Sequence, residues 1–234
     1  MIAEGLEWNK KKINNVLLID PAFPTARKSR NHRDLLPVGL LKIGAYFKSQ
    51  NINVKLIRLN NDYDLKNFSP DLVFITSIFT YWANEVKDAV KFSKKLFPKV
   101  PVIVGGIFAS LSPKICKEFT NCDEVFVGTF DGAEGIPPDY SLLGEDGKGI
   151  DYQIIHSTRG CKRKCQFCGV YKIEPKFKYQ DSIKNEIIKK NLVFYDNNFL
   201  ANPNIEKLLH ELISLRKEKI ITKCESQSGF DIHI

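Results

Sequence analysis

Short apolar runs alternate with amphipathic stretches through the first half of the chain. "NNVLLIDPAF", "NVKLIRL", "PDLVFITSIF", "VPVIVGG" and "CDEVFVG" are each bounded by Pro, Gly, Asn or Asp and read as buried strands. Between them, "PVGLLKIGAYFKSQ" sets Leu40, Leu41, Ile43, Gly44 and Phe47 on a helical face behind a first-turn proline. "NEVKDAVKFSKKLF" and "SPKICKEF" follow as further helices. Strand and helix alternating through short connections predict an α/β domain over residues 1–130, a doubly wound, Rossmann-like parallel sheet. Residues 131–150 hold five Gly and two Pro with no period and read as a linker. From 151 to 234 the alternation resumes. "YQIIHS", "NLVFYDNN" and "KIITKCES" are strands, "DSIKNEIIKK" is a short helix, and "NPNIEKLLHELISLRK" is a helix capped by Asn202 with Pro203 in its first turn.

Composition changes this picture little. A chain of 234 residues, 43% hydrophobic and 26% charged, is ordinary for a soluble globular protein of one large or two modest domains. No apolar run approaches the roughly 18 residues that cross a bilayer, so no membrane partner is expected. "MIAEGLEWNKKK" lacks the apolar core of a signal peptide, which predicts a cytoplasmic protein. In that reducing compartment clustered cysteines point to metal or catalysis rather than disulfides. The net charge of +8 raises nucleic acid as a partner, but the lysines are spread along the whole chain, as on a solvated surface.

The cysteines change it more. Cys161, Cys165 and Cys168 fall within eight residues, directly after a predicted strand. Three thiolates in one loop accumulate negative charge, which Arg159, Lys162, Arg163 and Lys164 offset. Three ligands on a four-iron cube leave one iron open to a substrate or cofactor. Zinc is the alternative, with His156 or Cys224 recruited as a fourth ligand, although neither has the paired spacing usual for zinc. Cys116, Cys122 and Cys224 each stand in an apolar segment and read as buried free thiols.

"IIHSTRGCKRKCQFC", a C-x3-C-x2-C triplet with Phe167 before its last Cys, resembles the signature loop of the radical S-adenosylmethionine superfamily. That resemblance implies a [4Fe–4S] cluster on Cys161, Cys165 and Cys168, with S-adenosylmethionine chelating the fourth iron through its amino and carboxylate groups. It also implies reductive cleavage of the sulfonium to a 5′-deoxyadenosyl radical, and places Phe167 near the adenine. A flavodoxin or ferredoxin would supply the electron, and a small biosynthetic molecule would be the substrate.

"LLPVGLLKIGAYFKSQNINVKLI" and "PVIVGGIFASLSP" resemble the cobalamin-binding domain that precedes the barrel in one subgroup of that superfamily. By that resemblance Ser77, Gly105 and Gly106 line the site for the cobalamin tail. The subgroup's D-x-H-x-x-G element is absent, and His32 lies in the corresponding loop without its pattern. "FYDNNFLANPNIEKLLHEL" resembles the second strand and helix of the barrel, so that Asp196, Asn197 and Asn198 would hydrogen-bond the amino group of S-adenosylmethionine. Glu225, Ser226 and Gln227 would close the third strand at the same mouth. Only the first half of a partial (β/α) barrel is expected, with three of its six strands, as in a truncated product, a gene fragment or a half that a second chain completes. No residue is assigned as catalytic. Methylation or rearrangement at an unactivated carbon is the expected chemistry. An RNA-modifying methylthiotransferase is the first alternative, weakened because it needs three further cluster cysteines where only Cys116 and Cys122 are available. A non-enzymatic protein that binds metal and nucleic acid is the second.

Overall fold

Alternation along β1 (Asn15–Asp20) sets up the first sheet: Val16 and Leu18 face one layer, Leu17 and Ile19 the other. The computed structural model describes residues 12–24 and 35–227, and the chain divides into two compact units, Met1–Gly144 and Glu145–Ile234. His32 lies outside the described residues.

In the first unit, β1 pairs in parallel with β2 (Asn53–Arg58) and with β3 (Leu72–Ser77). β3 then pairs with β4 (Val102–Gly106), and β4 with β5 (Glu124–Val125). The spatial order is β2-β1-β3-β4-β5. This is the flavodoxin-like doubly wound order, whose direction reverses between β1 and β3. One face is covered by α1 (Val38–Ser49), which buries Leu40 and Phe47 against Leu18, Leu72, Phe74 and Ile103. The other is covered by α2 (Ala83–Leu96), α3 (Ile107–Leu111) and α4 (Pro113–Thr120), through Val86, Ala89, Val90, Phe108 and Cys116. The sequence shows no signal for α3, which starts directly from Gly106.

The Gly- and Pro-rich segment after residue 130 is packed as far as Gly144, the end of the first unit. The reason is that α1 leaves part of its face open. Phe126 and Leu142 join the α1-side core, Tyr46 meets Phe130 edge-on at 5.2 Å, and Lys48 Nζ reaches Asp139 at 2.6 Å.

The second unit is thinner. β6 (Tyr152–Ile155), β9 (Asn191–Phe194) and β10 (Lys223–Ser226) form a parallel sheet of order β10-β9-β6. β7 (Thr158–Arg159) and β8 (Lys178–Tyr179) pair antiparallel, with the short α5 (Val170–Ile173) between them. α6 (Ile205–Lys217) packs Leu208 and Leu215 on Ile155, Leu192 and Phe194.

Two local expectations are corrected here. "DSIKNEIIKK" forms only a 3-10 turn, Lys184–Glu186, because its backbone groups find partners outside a helix. Gln153 donates to Glu186 O at 2.6 Å and accepts from Ile188 N at 2.8 Å, while Ile183 N donates to Glu211 on α6. Asn202 does not cap α6, which starts later, after Asn204. It is buried, and its amide bridges Gln180 O at 3.1 Å and Ser157 O at 3.4 Å.

Candidate functional site

The cysteine triplet sits on a closed lobe at the C-terminal end of β6. Its neck is tied at every step. Gln180 N donates to Ser157 O at 2.9 Å, and Thr158 and Arg159 pair with Tyr179 and Lys178. Gly160 comes next, at φ +74; a Cβ there would lie 2.6 Å from Lys176 O and 2.9 Å from Glu174 O. Only glycine fits, so the residue before Cys161 is fixed by the chain returning from the triplet. Hydrogen bonds at the neck hold its ends together, since no side chain from Cys161 to Gln180 is buried.

Within the lobe, Cys161, Cys165 and Cys168 are half-buried. Arg163 N approaches Cys161 Sγ at 3.4 Å, and Cys168 N donates to Cys165 O at 3.0 Å in a tight turn. Residues 157–180 carry seven Lys or Arg and a single acidic residue, Glu174. Lys162, Arg163 and Lys164 are exposed, and Phe167 is 95% exposed between the second and third thiols.

At the end of β9, Asp196 has no exposed surface. One oxygen accepts from Ser157 Oγ at 2.7 Å, Thr158 N at 2.5 Å and Thr158 Oγ1 at 2.7 Å, and the other from Ser157 N at 3.2 Å. Four donors match the roughly four lone-pair sites of a carboxylate. In this structure Asp196 ties the strand-to-lobe junction, three donors meeting one oxygen and one the other. Asn197 Nδ2 points back to Gly160 O at 3.4 Å. Asn198 differs, because its Oδ1 is buried with no hydrogen-bond partner among the described residues. Ser226 Oγ, closing the neighbouring β10, is in the same condition. Glu225 is engaged by Lys223 Nζ at 2.7 Å and Gln227 Nε2 at 3.0 Å. The hydroxyl of Tyr195 titrates above its ordinary range, first through burial and then through the charge of Glu225.

These groups fit some cofactors and not others. Among the described residues no three His, Cys, Asp or Glu side chains are gathered as a single metal ion requires. That holds for the cysteine triplet as it does for a zinc set with His156 or Cys224; Cys224 is exposed on β10, which corrects its assignment as a buried thiol. A four-iron cube needs thiolates on separate irons, and three cysteines on one cationic lobe suit that donor chemistry. Asn198 Oδ1 is an acceptor that a bound amino group would satisfy.

The other strand-end site lies in the first unit, at the β1/β3 reversal where ligands bind in such sheets. Ser77, closing β3, is buried and already used: its hydroxyl donates to Gly105 O at 2.7 Å and accepts from Ala109 N at 3.1 Å. Gly106 has φ +100, and a Cβ there would lie 2.1 Å from Ser77 O, so the glycine is required by β3 itself. Gly105 is roomier, with a built Cβ 3.7 Å from Phe126.

Sequence reasoning missed Asp20, at the end of β1. It is buried beside Arg58 at 2.9 Å, yet its Oδ1 has no partner among the described residues. Burial pushes its pKa up to about 6 against the opposing pull of Arg58. Three residues on, Phe23 stacks on Trp82 at 5.2 Å, and beside Trp82 in the chain Phe79 stacks on Tyr81 at 4.9 Å. No periodic signal marks a lone Asp at a strand end. Cys116 and Cys122 share the helix-side core instead, where the Cys116 thiol is pushed up first by its hydrogen bond to Cys122 and then by burial.

Residues 30–136 match the family model of the B12 binding domain. Cytidylyl-2-hydroxyethylphosphonate methyltransferase of Streptomyces wedmorensis is 38% identical to this chain over 64 residues, 27% of this chain and 12% of that protein. The chain thus spans a small part of the length of the curated relative it matches. A novel cobalamin-binding protein from Desulfitobacterium hafniense aligns over 51% of this chain and 55% of its own, at 13% identity and a TM-score of 0.35. No helix among the described residues is long and apolar enough to cross a membrane.

Proposed function

We propose that this chain is a radical S-adenosylmethionine protein of the cobalamin-dependent kind, carrying the cobalamin domain and the first half of the catalytic barrel. The single observation behind this is a C-x3-C-x2-C lobe, closed at its neck, on the first strand of a parallel unit that follows a B12 binding domain match. The one-way strand order β6, β9, β10 supports it, since successive strands lie side by side when a barrel is wound. Cys161, Cys165 and Cys168 would hold the [4Fe–4S] cluster. Asn198 Oδ1 would accept from the amino group of S-adenosylmethionine, and Asn197 and Asp196 would hold the lobe in place. Phe167 has a free face for the adenine. When bound, the cluster would supply one electron, drawn from a flavodoxin or ferredoxin, for cleavage of S-adenosylmethionine to methionine and a 5′-deoxyadenosyl radical.

Cobalamin would lie at the ends of β1, β3 and β4, against Ser77, Gly105 and Gly106, and its amide side chains would offer donors to Asp20 Oδ1. Kinship with a methyltransferase over 64 residues favours methylation of a small molecule over rearrangement. The rest of the barrel would come from further sequence or a second chain. The methylthiotransferase alternative loses ground, because Cys116 and Cys122 are buried together just ahead of β5, away from the C-terminal strand ends.

Anaerobic reconstitution of the chain with iron and sulfide, then reduction with S-adenosylmethionine, tests this. Iron uptake and release of 5′-deoxyadenosine are expected, with retention of added cobalamin through gel filtration. Zinc held by four thiolates or imidazoles, with no iron uptake, would overturn the assignment.

A further inference from the structure

One half-buried carboxylate at the neck of the lobe has no part in the proposal above. Glu174 follows α5, and its side chain is only 13% exposed. Burying a carboxylate is costly unless it is paired and hydrogen-bonded, and Glu174 is both. Oε1 meets Arg159 Nη2 at 2.8 Å. Oε2 accepts from Gly160 N at 2.5 Å and, at 3.5 Å, from Asn197 Nδ2. Its own backbone N–H closes α5 on Val170 O at 2.7 Å. One side chain therefore joins the segment leaving the triplet, the two residues entering it, and the end of β9.

We infer that Glu174 is a positioning residue for the cysteine triplet, fixing where Cys161 stands relative to Cys165 and Cys168. The physical case has two parts. Gly160 N–H is the last backbone donor before the first thiol, and the left-handed conformation of Gly160 transmits any shift there directly to Cys161. Electrostatics supply the second. A free carboxylate beside three thiolates would repel them, but pairing with Arg159 offsets its charge, in a lobe whose other charged residues are all Lys or Arg. Partners of this kind, one step removed from the ligands, typically cost roughly 10–100-fold in metal affinity when lost. The inference rests on the iron–sulfur proposal.

The test uses the full chain, reconstituted without oxygen, as wild type, Glu174→Gln, Glu174→Ala and Cys161→Ala. Its readouts are iron and sulfide per chain, the electron paramagnetic resonance signal of the reduced protein, and the rate of iron loss to a chelator, with circular dichroism as the check on folding. Glu174→Gln keeps an acceptor for Gly160 N and is expected to lose iron several-fold faster than wild type. Glu174→Ala is expected to lose it at least tenfold faster, with an altered resonance signal. If Glu174→Ala unfolds, the glutamine variant decides alone. Variants matching wild type in rate and signal would overturn the role of Glu174 and leave the iron–sulfur proposal standing. A wild type that takes up no iron, or a Cys161→Ala variant that equals it, would sink both.

Discussion

The two units solve the same problem, a parallel sheet with functional ends, by different means. The first has five strands with apolar layers on both faces, and its shape follows from side-chain burial. The second has a three-stranded main sheet and, among the described residues, one apolar layer, so polar side chains bonded to backbone finish the job: Gln153 on 186–189, Asn202 on Ser157 and Gln180, Asp196 on Ser157 and Thr158, and Glu174 on Gly160. Strand order differs too, reversing between β1 and β3 in the first unit and running one way in the second. A thick core tolerates local change. A thin one depends on particular hydrogen bonds.

That contrast can be broken at chosen residues. The largest effect is expected from Gly106→Ala, where the new Cβ would strike the backbone of Ser77 in a left-handed conformation. A loss of more than about 4 kcal/mol is expected in urea unfolding, against a change within about 1 kcal/mol for Gly105→Ala. Asp196→Ala comes next. It strands four donors in the second unit and should cost roughly 3–4 kcal/mol, read as faster amide exchange at Ser157 and Thr158 with first-unit amides unchanged.

Asp20 sharpens the comparison through pH. Its pKa rises from an ordinary 3.8 to about 6, so between those values the folded chain holds a proton that the unfolded chain releases. This contribution to stability is complete below about pH 4, falls as pH rises through about 6, and is then flat, for a total on the order of 3 kcal/mol. Subtracting the unfolding curve of Asp20→Asn from that of wild type across this window should reveal the slope; parallel curves would refute it. The smallest effect is Leu142→Ala, at about 1–2 kcal/mol, because Leu142 is only partly buried. No loss there would mean that the segment before Gly144 does not hold α1.

Much of this was readable from the sequence. The strands β1 to β4, helices α1, α2 and α6, and the three strands of the second sheet follow from apolar runs and helical spacing. The cysteine spacing located the lobe. What escaped was contact between distant residues. Asp196 stood out as the end of a strand, but only the fold shows Ser157 and Thr158 donating to it. Gly105 and Gly106 looked equivalent, yet a Cβ at Gly106 would strike the backbone of Ser77 while one at Gly105 would make ordinary contact with Phe126. Residues 131–144 looked like a linker because local composition carries no record of the gap beside α1.

By itself, then, the sequence determined which segments become strands and helices and which loop carries three thiols, since periodicity and spacing act over a few residues. Tertiary structure alone decided which carboxylates are spent and which polar atoms wait for a partner. Those outcomes depend on groups far apart in the chain, whose hydrogen bonds form only once the sheets have brought them together.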